Sequence, residues 1–541
     1  MNVTTYPAPP LPPGRPGVVI TGFMGTGKST VGRIVADRLG VGFVDLDEVV
    51  AARAGMAVAD VITNMGEHAF RELERRALSD AARLSRTVVA TGGGGVLHGA
   101  EFRQLAGGSV VVVLTCEPAE ILRRVSDGDR PLLRPHPATA VDALMRERAD
   151  RYAAAGRAID TTGRAPVAVA DEVIELFQGQ RSEATLLTVT ADGDSYPVII
   201  RSGLLDRAAL EVGGRVPEAR AAAVIFDAAV DGVALRLGRS LRDHGLEVLD
   251  LPVAGGEAAK RVEVVSSLWS ALLRSGLGRG DLVVGVGGGA VLDSAGFVAA
   301  TFARGVPFVS VPTTLLAMVD AAVGGKVGID HDDVKNAIGV IRQPRAVLID
   351  PSVLESLPPA ELRPGLAEAV KAGALASPLL LQVLGSARNS FPLEWVIEQA
   401  LRIKGAYVAQ DPSDHGIRRC LNLGHTFGHA LESATGYRVR HGEAVAVGMV
   451  AASRLGESLG ITPHGTAHRL ARVLSALDLP TRAPELEPDL ILGAMGHDKK
   501  RRGGKPVVVV PAEDGAALVE GVTDEALLEA LFDRVALAGG R

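Results

Sequence analysis

The stretch Val18-Val19-Ile20-Thr21-Gly22-Phe23-Met24-Gly25-Thr26-Gly27-Lys28-Ser29-Thr30-Val31 decides how the first third of the chain folds. A β-branched apolar run enters G-x-x-x-x-G-K-S, and Val31, Ile34, Val35 and Leu39 then fall on one helical face until Gly40 stops the pattern. Strand, glycine turn and helix in that order make a phosphate cradle. The glycines let backbone N–H groups curl around phosphate oxygens, and the helix N-terminus adds positive potential. Lys28 is spaced to reach the β- and γ-phosphates, and Ser29 to offer a hydroxyl to Mg²⁺. The competing reading, a glycine turn with no ligand, does not need the strand and helix on either side.

Working outward, Val88–Ala90 and Val110–Leu114 read as buried parallel strands separated by helical patterns, which predicts an open α/β sheet. Val44-Asp45-Leu46-Asp47 closes another apolar run. Strand alternation puts Asp45 and Asp47 on one face, one to serve Mg²⁺ and one to accept a proton from a substrate hydroxyl. The plain alternative is a helix N-cap before Glu48. Phe70-Arg71-Glu72-Leu73-Glu74 reads as ordinary helix. Thr91 leads into Gly92-Gly93-Gly94-Gly95, a strand end that permits close backbone approach to a ligand. Asp127-Gly128-Asp129-Arg130-Pro131-Leu132-Leu133-Arg134-Pro135 is a basic Gly/Pro loop suited to a lid.

The remaining two-thirds opens on a second α/β pattern, with strands expected at Tyr196–Ile200, Ala222–Phe226 and Asp281–Val286. The last runs into Gly285-Val286-Gly287-Gly288-Gly289, a phosphate-type turn that is weak alone. Gly256-Glu257-Ala258-Ala259-Lys260 and Pro312-Thr313-Thr314 place polar groups near other strand ends, where open α/β sheets bind ligands. Beyond Pro351 helical patterns dominate until a short strand at Pro506–Val510. There Gly424-His425-Thr426-Phe427-Gly428-His429 sets two imidazoles on one helical face, and His441-Gly442-Glu443 follows. Imidazole with carboxylate suits zinc with one position open. Spacing alone does not choose the carboxylate, and Glu368 in Gly365-Leu366-Ala367-Glu368 reads as a routine helix residue.

The chain has 541 residues, 47% apolar and 22% charged, with net charge −6. That is ordinary for globular protein and excludes the basic stripe of a nucleic-acid binder. Two cysteines, Cys116 and Cys420, give no disulfide framework and point to a reducing compartment. No apolar run approaches the roughly 20 residues that span a bilayer, so a cytoplasmic protein without nucleic-acid or membrane partners is expected. The expected organisation is a disordered Pro-rich lead over 1–14, a phosphate-loop domain over 15–177 and a linker over 178–184. An α/β subdomain over 185–350 and a helical subdomain over 351–541 follow.

Phosphate loop, D-x-D, F-R-x-x-E, the Gly run, the lid Arg-Pro-Leu and Arg148 before Tyr152 occur in the order of the shikimate kinase family, which residues 15–176 resemble. The resemblance implies ATP with Mg²⁺, held through Gly25, Thr26, Gly27, Lys28, Ser29 and Thr30, with Arg130 closing over it. Ser29 and Asp45 would serve the ion. It implies that Asp47, Arg71, Gly92, Gly93, Gly94 and Arg148 bind shikimate, with Asp47 acting on the accepting hydroxyl and Lys28 and Arg130 counted with it as catalytic. Asp150 stands where the family usually has Pro.

From about Ala184 the chain resembles 3-dehydroquinate synthase. The resemblance rests on Val311–Asp320, Val323-Gly324-Gly325-Lys326, Lys335-Asn336, Gly365–Lys371, Leu421–His429 and His441–Glu443. It implies zinc, or another divalent ion, on Glu368, His425 and His441. It implies NAD contacts from Asp227, Glu257, Lys260, Gly288, Gly289 and Asp293, joined by Thr313, Thr314, Asp320, Lys326 and Lys335. Arg304, Asp320, Asn336, Lys371 and Lys404 would surround the sugar-acid phosphate, with Arg418, Asn422, His429 and Lys499. Lys326, His429, Arg418 and Lys404 would be catalytic. The family habit also implies a homodimer through this half. Leu292, Val327, Ala229 and Asp414 depart from the family pattern, mostly near NAD. A different sugar-phosphate cyclase, a less specific kinase, or a half that only binds or regulates are the alternatives.

Overall fold

The computed structural model describes residues 1–11, 17–125, 133, 136–178, 185–191, 193–332, 334–386, 391–496 and 506–533. These divide into two compact units. The smaller comprises Leu11–Glu183 with Ser377–Trp395, and the larger Met1–Pro10, Ala184–Ala376 and Val396–Arg541.

The smaller unit is built on a five-stranded sheet in the order Gly42–Asp45, Thr87–Ala90, Val18–Gly22, Val110–Thr115, Arg157–Asp160. Every neighbouring pair is parallel. The β-branched runs are apolar throughout because both faces are covered; Val18, Ile20, Val88 and Val112 pack with Val31 and Val35 of the following helix in one core. The chain leaves Val18–Gly22 toward one side of the sheet and later returns to the other, so the carboxyl end of that strand is the topological switch point where ligands bind. Gly22 has φ +141°, and a Cβ there would lie 2.2 Å from the Leu114 carbonyl oxygen, so only glycine lets the cradle leave the sheet here.

Three expectations are corrected. Asp45 ends its strand and Leu46 opens the helix Leu46–Ala54, so strand alternation does not relate Asp45 to Asp47; Asp45 Oδ1 accepts from the Asp47 N–H at 3.0 Å as the N-cap. Residues 377–395, expected within the helical subdomain, cluster with the smaller unit. The indole of the buried Trp395 donates to Thr87 Oγ1 at 2.9 Å and lies 3.1 Å from the Ser85 carbonyl, the polar partners a buried Trp requires. Third, the lead is not wholly disordered. Asn2–Tyr6 forms a strand antiparallel to Ala516–Glu520, which also pairs with Val508–Pro511. Thr4, Thr5 and Tyr6 supply β propensity, and the first strand covers an otherwise open edge. Residues 179–184, most of the expected linker, lie outside the described residues.

Deleting residues 1–10 should therefore weaken the larger unit, although they precede the smaller one in sequence. Loss of a five-residue ladder is worth about 2–4 kcal/mol from net hydrogen-bond values. Denaturant unfolding of the full and truncated chains measures it; equal midpoints would show that the strand adds nothing.

The larger unit has a seven-stranded sheet in the order Glu247–Val253, Ala221–Asp227, Leu282–Gly287, Phe308–Pro312, Ala346–Ile349, Asp194–Ile200, Thr185–Ala191. All neighbours are parallel except the last pair, a hairpin. Its core gathers Ile225, Val283, Val291, Phe297 and Phe308. A second hairpin, Lys326–His331 with Val334–Ile341, leads into a helical part that includes Pro359–Ala376, Leu393–Gln410, His425–Ala434 and His441–Ser458. Among the described residues no helix is long and apolar enough to cross a membrane.

Candidate active sites

In the smaller unit the cradle opens with Gly25 at φ +78° and Gly27 at φ +91°, and Lys28 begins the helix Lys28–Leu39. Lys28 is buried, and its Nζ donates to the Phe23 carbonyl at 2.9 Å, while Thr26 Oγ1 donates to the same oxygen at 2.8 Å. The loop is thus closed on itself with the ammonium at its rim. Ser29 and Thr30 follow in the first helical turn.

Beside it several of the residues expected to bind the acceptor lie together. Gly93 O accepts from Arg148 Nη1 at 3.0 Å and from the Tyr152 hydroxyl at 2.6 Å. A Cβ on Gly94 would lie 1.9 Å from Arg71 Nη1, and one on Gly92 2.7 Å from Asp47 Oδ1. The glycine run is therefore the close-approach surface against which Asp47, Arg71 and Arg148 lie. Arg148 is 2% exposed and its Nε has no hydrogen-bond partner, so a buried guanidinium N–H is left for an anion. Arg130 lies outside the described residues.

Sequence reasoning gave no role to Glu74, the last residue of F-R-x-x-E, and did not single out His98. Glu74 is 1% exposed, accepts from Arg71 Nη1 at 2.8 Å, and lies 2.9 Å from His98 Nε2. Burial raises its pKa, but the His98 hydrogen bond and the Arg71 charge outweigh that and hold the carboxyl below its ordinary value. The signal was available: Glu74 follows Arg71 by three residues on one helix, so the two side chains must meet.

In the larger unit, helix Pro359–Ala376 carries Glu368, helix His425–Ala434 carries His425 and His429, and helix His441–Ser458 carries His441. The last two helices approach closely. Gly424 at φ +81° would, with a Cβ, meet Val445 O at 2.7 Å, and Gly448 would meet Gly424 O at 2.0 Å. That approach sets the His425 and His441 ring centroids 5.3 Å apart. Both Nε2 atoms face Glu368 Oε1, at 3.7 Å from His425 and 3.8 Å from His441. Glu368 is 3% exposed and neither oxygen has a hydrogen-bond partner, although the Lys371 ammonium is ion-paired with it. A buried carboxylate left open beside two imidazoles, with one ligand atom from each within 4.8 Å of the others, fits a divalent ion of the zinc type. His429 is exposed and belongs to a second, overlapping group with Glu432 and His441.

Around this centre the cations are paired. Lys404 Nζ reaches Asp320 Oδ1 at 2.6 Å, Lys326 pairs with Asp414, and Arg418 donates to Pro412 O at 2.7 Å and Gly324 O at 2.9 Å. Asp320 lies in a π-helical turn, Ala317–Ala321, a local distortion common at functional sites. Burial opposes its charge, but Lys404 and Lys371 hold its carboxyl far below the usual range. Asn422 Nδ2 donates to Arg419 O at 2.9 Å.

Of the expected dinucleotide residues, Asp227, Gly288 and Thr313 lie at or just beyond strand ends, and Glu257, Lys260, Asp293 and Lys335 are joined by ion pairs. Asp227 ends a sheet strand and accepts from Ala229 N–H at 2.9 Å; Gly288 caps the helix Gly289–Thr301. Thr313 is buried, and Thr314 Oγ1 accepts from Ala317 N–H at 3.2 Å. Lys260 Nζ bridges Asp293 Oδ2 at 2.6 Å and Asn336 Oδ1 at 2.7 Å, and Lys335 pairs with Glu257 at 3.1 Å. Burial pushes the Asp293 carboxyl up to about 6 against the pull of Lys260. Asn336, expected with the substrate group, is held by Lys260 and, through its N–H, by Asp330 at 2.7 Å. The departures find places here. Leu292 is buried, and Val327 packs on Gly296, where a Cβ would come within 2.4 Å of it. Arg304 is exposed at φ +67°, and Lys499 lies outside the described residues. Asp414, read only as a departure, is the partner of Lys326; Glu432 was not singled out, although it follows His429 by three on the same helix.

A phosphate cradle facing an arginine-lined anion cleft makes the smaller unit a small-molecule phosphotransferase by class. A His/His/Glu group together with a mostly parallel nucleotide-type sheet makes the larger one a metal- and dinucleotide-type enzyme. The comparisons narrow both. Residues 24–178 match the shikimate kinase family profile, 250–364 that of the 3-dehydroquinate synthase N-terminal domain, and 365–501 that of its C-terminal domain. The 3-dehydroquinate synthase of Symbiobacterium thermophilum is 42% identical over 335 residues, 60% of this chain and 94% of the relative. That of Nocardia farcinica is 42% identical over 352 residues, 63% of this chain and 94% of the relative. A solved 2-epi-5-epi-valiolone synthase from Streptomyces hygroscopicus, with NAD+ and Zn2+ bound, is 28% identical with a TM-score of 0.57, covering 65% of this chain and 98% of that one. The chain belongs to the 3-dehydroquinate synthase family and carries a shikimate kinase domain before it in sequence.

Proposed function

We propose that one chain catalyses two steps of aromatic (chorismate) biosynthesis. It phosphorylates shikimate with ATP, and it converts 3-deoxy-D-arabino-heptulosonate 7-phosphate to 3-dehydroquinate and phosphate. The observation that carries the second reading is the convergence of His425 and His441 on the open carboxylate of Glu368.

In the kinase half, the cradle and Lys28 hold the ATP phosphates, Ser29 and Asp45 serve Mg²⁺, and Arg130 completes the site. Arg71 and Arg148 take the shikimate carboxylate, and Asp47 orients the accepting hydroxyl and receives its proton. Glu74 aims Arg71. Glu74→Ala should raise the KM for shikimate about 10-fold with a smaller change in kcat, and cost about 3 kcal/mol as a broken buried pair. Because the folded carboxyl titrates below its ordinary 4.5, its stabilising contribution is full above that pH and is lost on acidification through the folded value. Unchanged KM in the variant would remove Glu74 from this role.

In the synthase half, Glu368, His425 and His441 hold a zinc ion, and Asp227, Glu257, Lys260, Gly288 and Gly289 hold NAD. Zinc when bound supplies a charge that acidifies a coordinated hydroxyl, and NAD supplies reversible hydride acceptance. Lys371, Lys404, Arg418 and Asn422 bind the anionic substrate. His429, which is exposed, would move a proton, and Asp414 would position Lys326 for the substrate. Over 60% of its length the chain is 42% identical to a 3-dehydroquinate synthase, which favours this substrate over those of other sugar-phosphate cyclases.

A cytoplasmic homodimer completes the proposal. The strand Val334–Ile341 is exposed along its length, with Val334, Ile338, Val340 and Ile341 each 41–43% exposed, an apolar surface that a second copy would cover. Phosphate release on adding the keto-acid phosphate to the purified chain tests the main reading; none, with NAD and zinc present, would contradict it.

A further inference from the structure

The two imidazoles that face Glu368 are held from behind in different ways. His425 Nδ1 lies 3.2 Å from the Leu423 carbonyl oxygen, two residues before it in the chain. His441 Nδ1 lies 3.4 Å from Glu432 Oε2, a carboxylate from the neighbouring helix. His441 opens its own helix at the N-terminus, so no carbonyl from a preceding turn of that helix stands behind its ring. Glu432 fills that position from the side. It sits one turn beyond His429 on the helix His425–Ala434, with a side chain 12% exposed.

An imidazole ligates through a nitrogen that carries no proton, so the hydrogen bond at the other nitrogen fixes both tautomer and ring angle. We propose that Glu432 is the positioning residue of the metal centre: it accepts the Nδ1–H of His441 and so presents Nε2 to the ion shared with Glu368 and His425. The proposal rests on the metal-binding reading above and adds to it a carboxylate that fixes the ring of a helix-terminal ligand. It also separates the two overlapping groups. Glu432 acts through His441 rather than on the ion, and His429 keeps its proposed role toward the substrate.

Zinc affinity of the full chain, measured by competition with a chromophoric chelator, tests this without reference to turnover. Glu432→Ala should bind zinc 10- to 100-fold more weakly, with the metal-free protein unfolding at the parent's temperature. Glu432→Gln, which keeps an acceptor oxygen without the charge, should fall between. His429→Ala should bind zinc as the parent does. Parental affinity in Glu432→Ala overturns the proposal. So does a loss of affinity matched by earlier unfolding of the metal-free chain, which would mark a structural role. So does equal weakening by His429→Ala, which would place the ion on Glu432 itself. His441→Ala serves as the check on the underlying reading. If it too retains parental affinity, the metal site is elsewhere; if it alone loses zinc, only the role of Glu432 fails.

Discussion

His441→Ala is expected to abolish phosphate release from the keto-acid phosphate and to leave shikimate phosphorylation at the parental rate. His441 is one of three side chains that converge from three helices, and its Nε2 lies 3.8 Å from Glu368 Oε1. Without it Glu368 and His425 give two ligands, too few to retain zinc at the low free concentrations of an assay. The acidification of the substrate hydroxyl then disappears, a loss of at least about 10³ in kcat/KM. The variant should also emerge from gel filtration without zinc. Synthase activity within 10-fold of the parent would remove His441 from the centre.

Lys28→Ala is expected to do the reverse. The Lys28 ammonium is buried at the cradle rim on the Phe23 carbonyl, poised to exchange that oxygen for phosphate. Its removal takes a full charge from the site where negative charge shifts during transfer, so kinase kcat/KM should fall about 10³-fold. The synthase rate should not change. A variant that loses both activities together would show that the two catalytic centres are not independent.

The parts of this protein that were legible in its sequence are those in which local chemistry and fold coincide. The cradle is one: Val18–Lys28 signals strand, turn and helix from its own residues, although part of what requires glycine at 22, the Leu114 carbonyl, lies far along the chain. The central strands of both sheets were legible for the same reason, since buried parallel strands must be apolar on both faces. What was not legible depends on residues far apart in sequence. Nothing in Asn2–Tyr6 announces a partner at Ala516–Glu520, because pairing across that separation is set by tertiary packing and not by local propensity. Asp45 illustrates a second failure. An apolar run ending in D-x-D fits both a strand and a strand stop with a helix cap, and the cap prevailed. Glu368 is an intermediate case: by spacing alone it is a helix residue like any other, the resemblance carried by Gly365–Lys371 implied its role, and its distance to two imidazoles agrees with that. Trp395 was passed over because its partners at Ser85 and Thr87 lie more than 300 positions away.

The site residues divide along the same line. Motif-borne residues such as Lys28, His425 and His441 each lie in the first turn of a helix. Of the residues that hold them, Glu74 closes F-R-x-x-E but was given no role, and Asp414 and Glu432 take theirs as ion-pair and hydrogen-bond partners.

Anomalous diffraction at the zinc absorption edge, on crystals of the full chain grown with zinc, tests the central claim most directly. The account predicts one peak in the larger unit, about 2.0–2.2 Å from Glu368, His425 Nε2 and His441 Nε2. A peak instead among His429, Glu432 and His441, or none near Glu368, would contradict it.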